Sequence, residues 1–161
     1  MIVVTDTSVV LNLCFLGQES LMTTLFGTVC APPGVQQEFQ RLANEDGRFL
    51  GLVFPPFIEV RSPVTAVVAV MENQRLHEGE RAALCLALEL NADAVLMDER
   101  AGRAAASALG LSSIGLLGIL LQARKQQLIP AIRPLLDRLQ SHARFWISPS
   151  LLQQTMQAAN E

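Results

Sequence analysis

Long hydrophobic runs are missing from this 161-residue sequence. The longest are Val64–Met71, interrupted by Thr65, and Ile114–Leu121. Both stop well short of the roughly 18 apolar residues that cross a bilayer, so no membrane association is expected. A basic excess is missing too: 15 Asp plus Glu against 12 Lys plus Arg leave a net charge of −3. That balance argues against binding nucleic acid by bulk attraction. Lysine is nearly absent, with Lys125 alone among eleven arginines. The planar guanidinium fork suits phosphate, although pairing with a surface carboxylate is its commoner use. Cysteine is scarce: Cys14, Cys30 and Cys85 lie far apart among apolar neighbours, with no C-x-x-C spacing and no adjacent histidine. They read as buried structural thiols, not as zinc or redox ligands. The opening Met1–Asp6 has no basic residue and meets an acid at once, unlike a secretory signal, so a cytoplasmic protein is the default expectation.

What is present is apolar substance. Half of the residues are hydrophobic and 17% are charged, enough to bury a core and to exclude disorder. The length suits one domain. Ile2–Thr5, Thr28–Ala31, Phe57–Arg61, Ala94–Met97 and Ser112–Ile114 read as short strands. Helical spacing follows each: through Val9 to Cys14, Glu19–Phe26, a helix entered at Pro32-Pro33 with Val35, Phe39 and Leu42 on its stripe, Val64–Asn73, Gly79–Asn91 and Arg100–Leu109. Leu116–Lys125 and Ala131–Ala143 are further helices, and Ser148 before Pro149 marks the start of a last one, with Leu151, Leu152, Thr155 and Met156 on its apolar face. Buried strands alternating with amphipathic helices define an α/β domain with a parallel sheet.

In such sheets the site lies beyond the carboxyl ends of the strands. Two acids stand there, Asp6 and Asp98, each of which also suits a helix N-cap. Two more stand on apolar stripes. Glu80 precedes Ala83, Leu84 and Ala87 at helical spacing, and Glu38 lies between Val35 and Leu42, so both are expected to face inward. A buried glutamate needs a partner or a cation. Four such acids imply a shared negative pocket, and all-oxygen ligands select Mg²⁺ or Mn²⁺. No P-loop, no G-x-G-x-x-G and no Ser/Cys–His set is present, leaving acids and metal as the visible chemistry. His77 and His142 are isolated and read as surface or half-buried residues. Trp146, with Phe145, suits base stacking, but a packing anchor for the tail is the stronger expectation.

Four stretches carry a family resemblance: Val3-Val4-Thr5-Asp6-Thr7-Ser8-Val9-Val10, Pro33-Gly34-Val35-Gln36-Gln37-Glu38, Gly79-Glu80-Arg81-Ala82-Ala83 and Met97-Asp98-Glu99-Arg100-Ala101-Gly102-Arg103. Together they resemble the PIN-domain family of metal-dependent nucleases, in its bacterial and archaeal subgroup long catalogued as a domain of unknown function. The resemblance implies a three-layer α/β/α nuclease domain over 1–145, followed by a helical tail over 146–161. By position, Asp6, Glu38, Glu80 and Asp98 become the catalytic acids, with Mg²⁺ or Mn²⁺ held by Asp6, Glu80 and Asp98. Ser8 and Glu99 take supporting roles. Leu96 departs from the pattern, since many members carry Thr or Ser there. Arg103 is expected to pair with Glu99 one helical turn back, or else to join Arg100 on an RNA phosphate. The implied activity is hydrolysis of RNA. The implied partners are a small antitoxin protein, as in toxin–antitoxin pairs, and a second copy of the chain in a homodimer. The alternative is a non-catalytic α/β module whose acidic pocket holds a structural cation or none.

Overall fold

The computed structural model describes every residue except Gln74. Five strands, β1 (Ile2–Thr5), β2 (Thr28–Ala31), β3 (Glu59–Val60), β4 (Ala94–Leu96) and β5 (Ser113–Ile114), form one wholly parallel sheet in the order β3-β2-β1-β4-β5. The first strand is therefore the central one. The pleat explains why its residues read as continuously apolar: successive side chains point to opposite faces, and both faces are covered. Val3, Val29, Ala31, Ala94 and Leu96 enter one core, while Val4, Cys30, Val95 and Met97 enter the other.

On the first face lie α1 (Thr7–Leu16), α2 (Ser20–Phe26), α3 (Pro33–Glu45), α7 (Leu116–Lys125), α8 (Arg133–His142) and α9 (Pro149–Ala159). The second face carries α4 (Val68–Met71), α5 (Glu78–Glu89) and α6 (Arg100–Ala108). The result is the expected three-layer α/β/α sandwich. Among the described residues no single helix is long and apolar enough to cross a membrane. All three cysteines are buried and free.

The helix expected over Val64–Asn73 shrinks to one turn at Val68–Met71. Its front half is rich in β-branched residues, which lose side-chain freedom in a helix. Instead the Glu89 carboxylate accepts the N–H groups of Val64 (2.8 Å) and Thr65 (3.3 Å). The third strand is likewise shorter than Phe57–Arg61.

The C-terminal helix packs on the domain. Ser148 caps it by accepting the Leu151 N–H at 3.1 Å, and Thr155, Met156 and Ala159 are buried against α7. Leu151, expected on that stripe, is exposed. At the other end the Glu161 carboxylate accepts the N–H groups of Ile132 (2.7 Å) and Arg133 (3.0 Å), so it caps α8. Ile132, the residue in the N-cap position, has no side chain able to do so. Glu161→Ala should therefore cost about 1 kcal/mol, the usual loss for a helix cap. Thermal melting at fixed salt checks this, and an unchanged midpoint would show that the cap contributes nothing.

Candidate active site

The strand order turns around β1: β2 lies on one side of it, and the chain crosses over to add β4 on the other. The crevice beyond the carboxyl ends of β1 and β4 is thus the switch point where open α/β sheets bind ligands. Asp6 and Asp98 sit there, just past β1 and β4. Their backbones are tied together, because the Asp6 N–H donates to the Leu96 carbonyl at 3.0 Å.

Each aspartate also does the capping work that the sequence allows. Asp6 is the N-cap of α1, where its Oδ1 accepts the Val9 N–H at 3.0 Å. The Ser8 hydroxyl bridges both carboxylate oxygens, at 3.2 and 3.3 Å. Asp98 caps a helix that the sequence does not suggest. It does not close α6, which follows it directly; its Oδ1 accepts the Leu116 N–H, at 2.8 Å, at the start of α7. The residue in the α7 cap position is Gly115, and a Cβ there would stand 2.8 Å from that same Oδ1. Glycine is needed at 115 for clearance alone, since its backbone (φ −88°, ψ 174°) suits any residue.

Glu80 is buried, as its place on the α5 stripe predicts. Glu38 is not. The buried stripe of α3 runs through Val35, Phe39 and Ala43, whereas Leu42 is only half-buried, so Glu38 falls off its edge and is exposed. It still reaches the site, held by the Thr7 hydroxyl, which donates to Glu38 Oε2 at 2.9 Å. Thr7 and His77 are site residues that sequence reasoning missed. Thr7 sits inside the Asp-Thr-Ser motif, where its hydroxyl was the available signal. His77 is exposed at the rim, directly before α5.

A cavity of about 190 Å³ gathers Asp6, Ser8, Glu38, His77, Glu80 and Glu99. Asp98 lines the adjoining groove, and Glu99 faces both spaces. The acids feel one another's charge. Burial raises the Asp6 carboxyl, the charges of Asp98 and Glu80 add to the rise, and the Val9 N–H and the Ser8 hydroxyl oppose it, leaving it at about 7. Burial also pushes Glu80 upward; the His77 charge opposes this, and Glu99 and Glu38 reinforce it. Asp98 is raised by burial as well, with the Leu116 N–H and the Arg103 charge pulling it back. The expected Arg103–Glu99 ion pair does not form: the ion pairs among the described residues use Arg41, Arg48, Arg61 and Arg124. Arg103 turns toward Asp98 instead, its Nη1 standing 3.3 Å from where a Gly115 Cβ would be. The half-buried Asp98 carboxyl is lowered by this guanidinium's charge, whereas an exposed helical pair is worth only a few tenths of a kcal/mol.

A family model described as a PIN domain matches residues 2–161, and so runs through α9. The chain belongs to the PIN-domain family. PIN domains are typically nucleases and generally use divalent metals. No curated protein matches the chain.

The donor set of this PIN domain fits such an ion. Glu80 Oε2 and Asp98 Oδ2 are buried without a hydrogen-bond partner, an arrangement that costs free energy until something positive meets them. Gly102 keeps α6 close to Glu80: a Cβ there would run into the Met97 Sδ and lie 3.5 Å from Glu80 Oε2. All the donors are oxygen, which suits a hard cation. Among the described residues no three His, Cys, Asp or Glu side chains already close into a ligand cluster. Backbone N–H groups anchor Asp6 and Asp98. Leu96, where a hydroxyl is common in the family, is fully buried and its side chain packs into the core.

Proposed function

We propose that this PIN domain is a metal-dependent endoribonuclease that hydrolyses RNA phosphodiester bonds with Mg²⁺ or Mn²⁺. The observation that carries this reading is the pair of buried, unpartnered oxygens on Glu80 and Asp98 beside the raised Asp6 carboxyl. In this reading Asp6, Glu80 and Asp98 hold the ion, which neutralises phosphate charge and lowers the pKa of water. Asp6 and Asp98 keep their carboxylates fixed through the Val9 and Leu116 N–H groups. Glu38 reaches across from α3, oriented by Thr7, and holds a water for in-line attack. Glu99, shared by cavity and groove, supplies a further oxygen at the boundary. A toxin role restrained by a small protein partner, and a homodimeric state, belong to the same proposal on the strength of the resemblance.

The test uses purified full-length protein, structured RNA and Mn²⁺, with chelator and Asp6→Asn controls. Cleavage that disappears in both controls supports the reading. Cleavage that survives both comes from a contaminant. If Mn²⁺ raises the melting temperature yet no RNA is cut, the chain is the non-catalytic module with a structural cation. Arg100 and Arg103 are the proposed phosphate contacts. Replacing either by Ala should weaken RNA binding and lower the slope of log affinity against log salt by about one unit. An unchanged slope in both variants removes them from the interface.

A further inference from the structure

The short segment between α8 and α9 presents its one tryptophan outward. Phe145 packs against the core on one side of Trp146, and Ile147 is buried on the other. The Phe145 N–H is fastened to the Leu139 carbonyl at 3.0 Å. Trp146 itself is 81% exposed, which overturns the expectation that it anchors the tail. Its two neighbours do the anchoring, so the indole stands on a backbone held at both flanks.

A single exposed side chain needs no cover by itself; what singles Trp146 out is the groove it lines. The surroundings indicate what the ring could bind. Trp146 and Phe145 line a groove of about 760 Å³ together with Asp98, Glu99, Arg100 and Arg103. Arg100 and Arg103 lie one turn apart on α6, are both exposed, and make no ion pair among the described residues. The groove meets the acid cavity at Glu99. Aromatic surface, two guanidinium groups and a path to the carboxylates match a single strand of nucleic acid: a base for the ring and phosphates for the arginines. A protein partner would also match the apolar wall of Ile114, Leu117 and Leu151, but the path from the two arginines to the carboxylates favours the strand.

We propose that Trp146 is a base-stacking subsite for single-stranded RNA, with Arg100 and Arg103 gripping the adjoining phosphates and directing the strand toward Asp98. This deepens the nuclease reading and rests on it for the identity of the strand as RNA. Stacking on the indole needs an unpaired base, so the subsite selects single-stranded segments over duplex.

The chain carries one Trp and no Tyr, so its fluorescence on excitation at long wavelength reports this groove alone. The experiment titrates the full chain, in chelator so that nothing is cut, with a short oligouridine, an abasic strand of equal length, and a blunt RNA duplex. Oligouridine should quench the tryptophan, and the abasic strand and duplex should do so much less. Trp146→Ala should weaken oligouridine binding by about 5- to 100-fold, measured by anisotropy of a labelled strand, with Trp146→Phe recovering most of it. The exposed position keeps folding intact in both variants. Equal quenching by the abasic strand overturns stacking, as does unchanged affinity in Trp146→Ala. Emission that changes with protein concentration alone overturns it in favour of a self-association surface. The nuclease reading fails separately. Asp6-dependent cleavage without quenching removes the subsite and keeps the enzyme. Quenching with affinity loss, but without cleavage, keeps the subsite and removes the enzyme.

Discussion

Asp6→Asn is expected to abolish Mn²⁺-dependent RNA cleavage and, in the same protein, to raise the melting temperature of the metal-free chain at pH 8. The two effects share one cause. The Asp6 carboxyl goes from an ordinary 3.8 to about 7 on folding, so the folded state favours the protonated form. Its contribution to stability is therefore fully present below about pH 4, is lost as pH rises toward 7, and stays lost above that. The span corresponds to roughly 4 kcal/mol. Asparagine removes the charge while keeping an oxygen for the Val9 N–H, so the cap of α1 survives. Between pH 5 and 8, where the parent falls by several degrees, the variant should lose less stability, keeping only the part of the loss due to Glu80 and Asp98, which burial also raises. In a chain of this size each kcal/mol moves the midpoint by about 2–4 °C.

Metal narrows the gap. A cation that binds the folded state at a hundredfold excess over its dissociation constant adds about 2.7 kcal/mol to the parent. The variant, lacking a fixed charge at the strand end, should gain little. Glu38→Gln should behave differently and leave measurable cleavage, because Glu38 is exposed and held only through Thr7, so water can stand in for it. A parent whose metal-free melt is flat across this pH range would contradict the account of Asp6, whatever its activity.

The second large effect is expected at a residue without a side chain. Gly115→Ala places a methyl group 2.8 Å from Asp98 Oδ1, well inside van der Waals contact, and crowds the Arg103 guanidinium. The backbone has no objection to alanine there, so the strain falls on the carboxylate. Asp98 must leave the Leu116 N–H, which uncaps α7 at a cost of about 1 kcal/mol. A ligand displaced by about 1 Å typically loses two orders of magnitude in rate, and that is the expected fall in cleavage. Gly47→Ala, where a Cβ meets nothing within 4 Å, serves as the control and should keep full activity. Wild-type cleavage by Gly115→Ala would mean that the Asp98–Leu116 contact does not position the acid.

Both predictions show where the sequence was readable and where it was not. Asp6 was legible because a β-branched run ends on it, and strand ends are where α/β sites form. Glu80 was legible because an acid on an apolar stripe is conspicuous, and burial followed. Glu38 was misread by one position: a stripe through Ala43 instead of Leu42 rotates the helix enough to put residue 38 in water. The cap that Asp98 provides spans 18 residues, and no local pattern encodes it. The need for glycine at 115 and 102 depends on side chains that approach from other elements. Trp146 was hidden by its neighbours, since a Phe-Trp-Ile run gives no indication of which residues the core will take.

The central position of β1 also sets the timetable of biosynthesis. The earliest of the five strands in sequence is flanked by β2 and by β4, and its Ile2 N–H waits for the Asp93 carboxylate, 91 residues further on. Such distant contacts demand loop closure before they return any stability, so the sheet forms late. At about 5–20 residues per second, several seconds separate the synthesis of Asp6 from that of Asp98, and α7, which receives the Asp98 cap, is later still. A nascent chain that stops before β4 owns Asp6, Glu38 and Glu80 but neither the second strand end nor the groove beside it. The order of the strands thus keeps the acid cavity unassembled while most of the polypeptide is still being made.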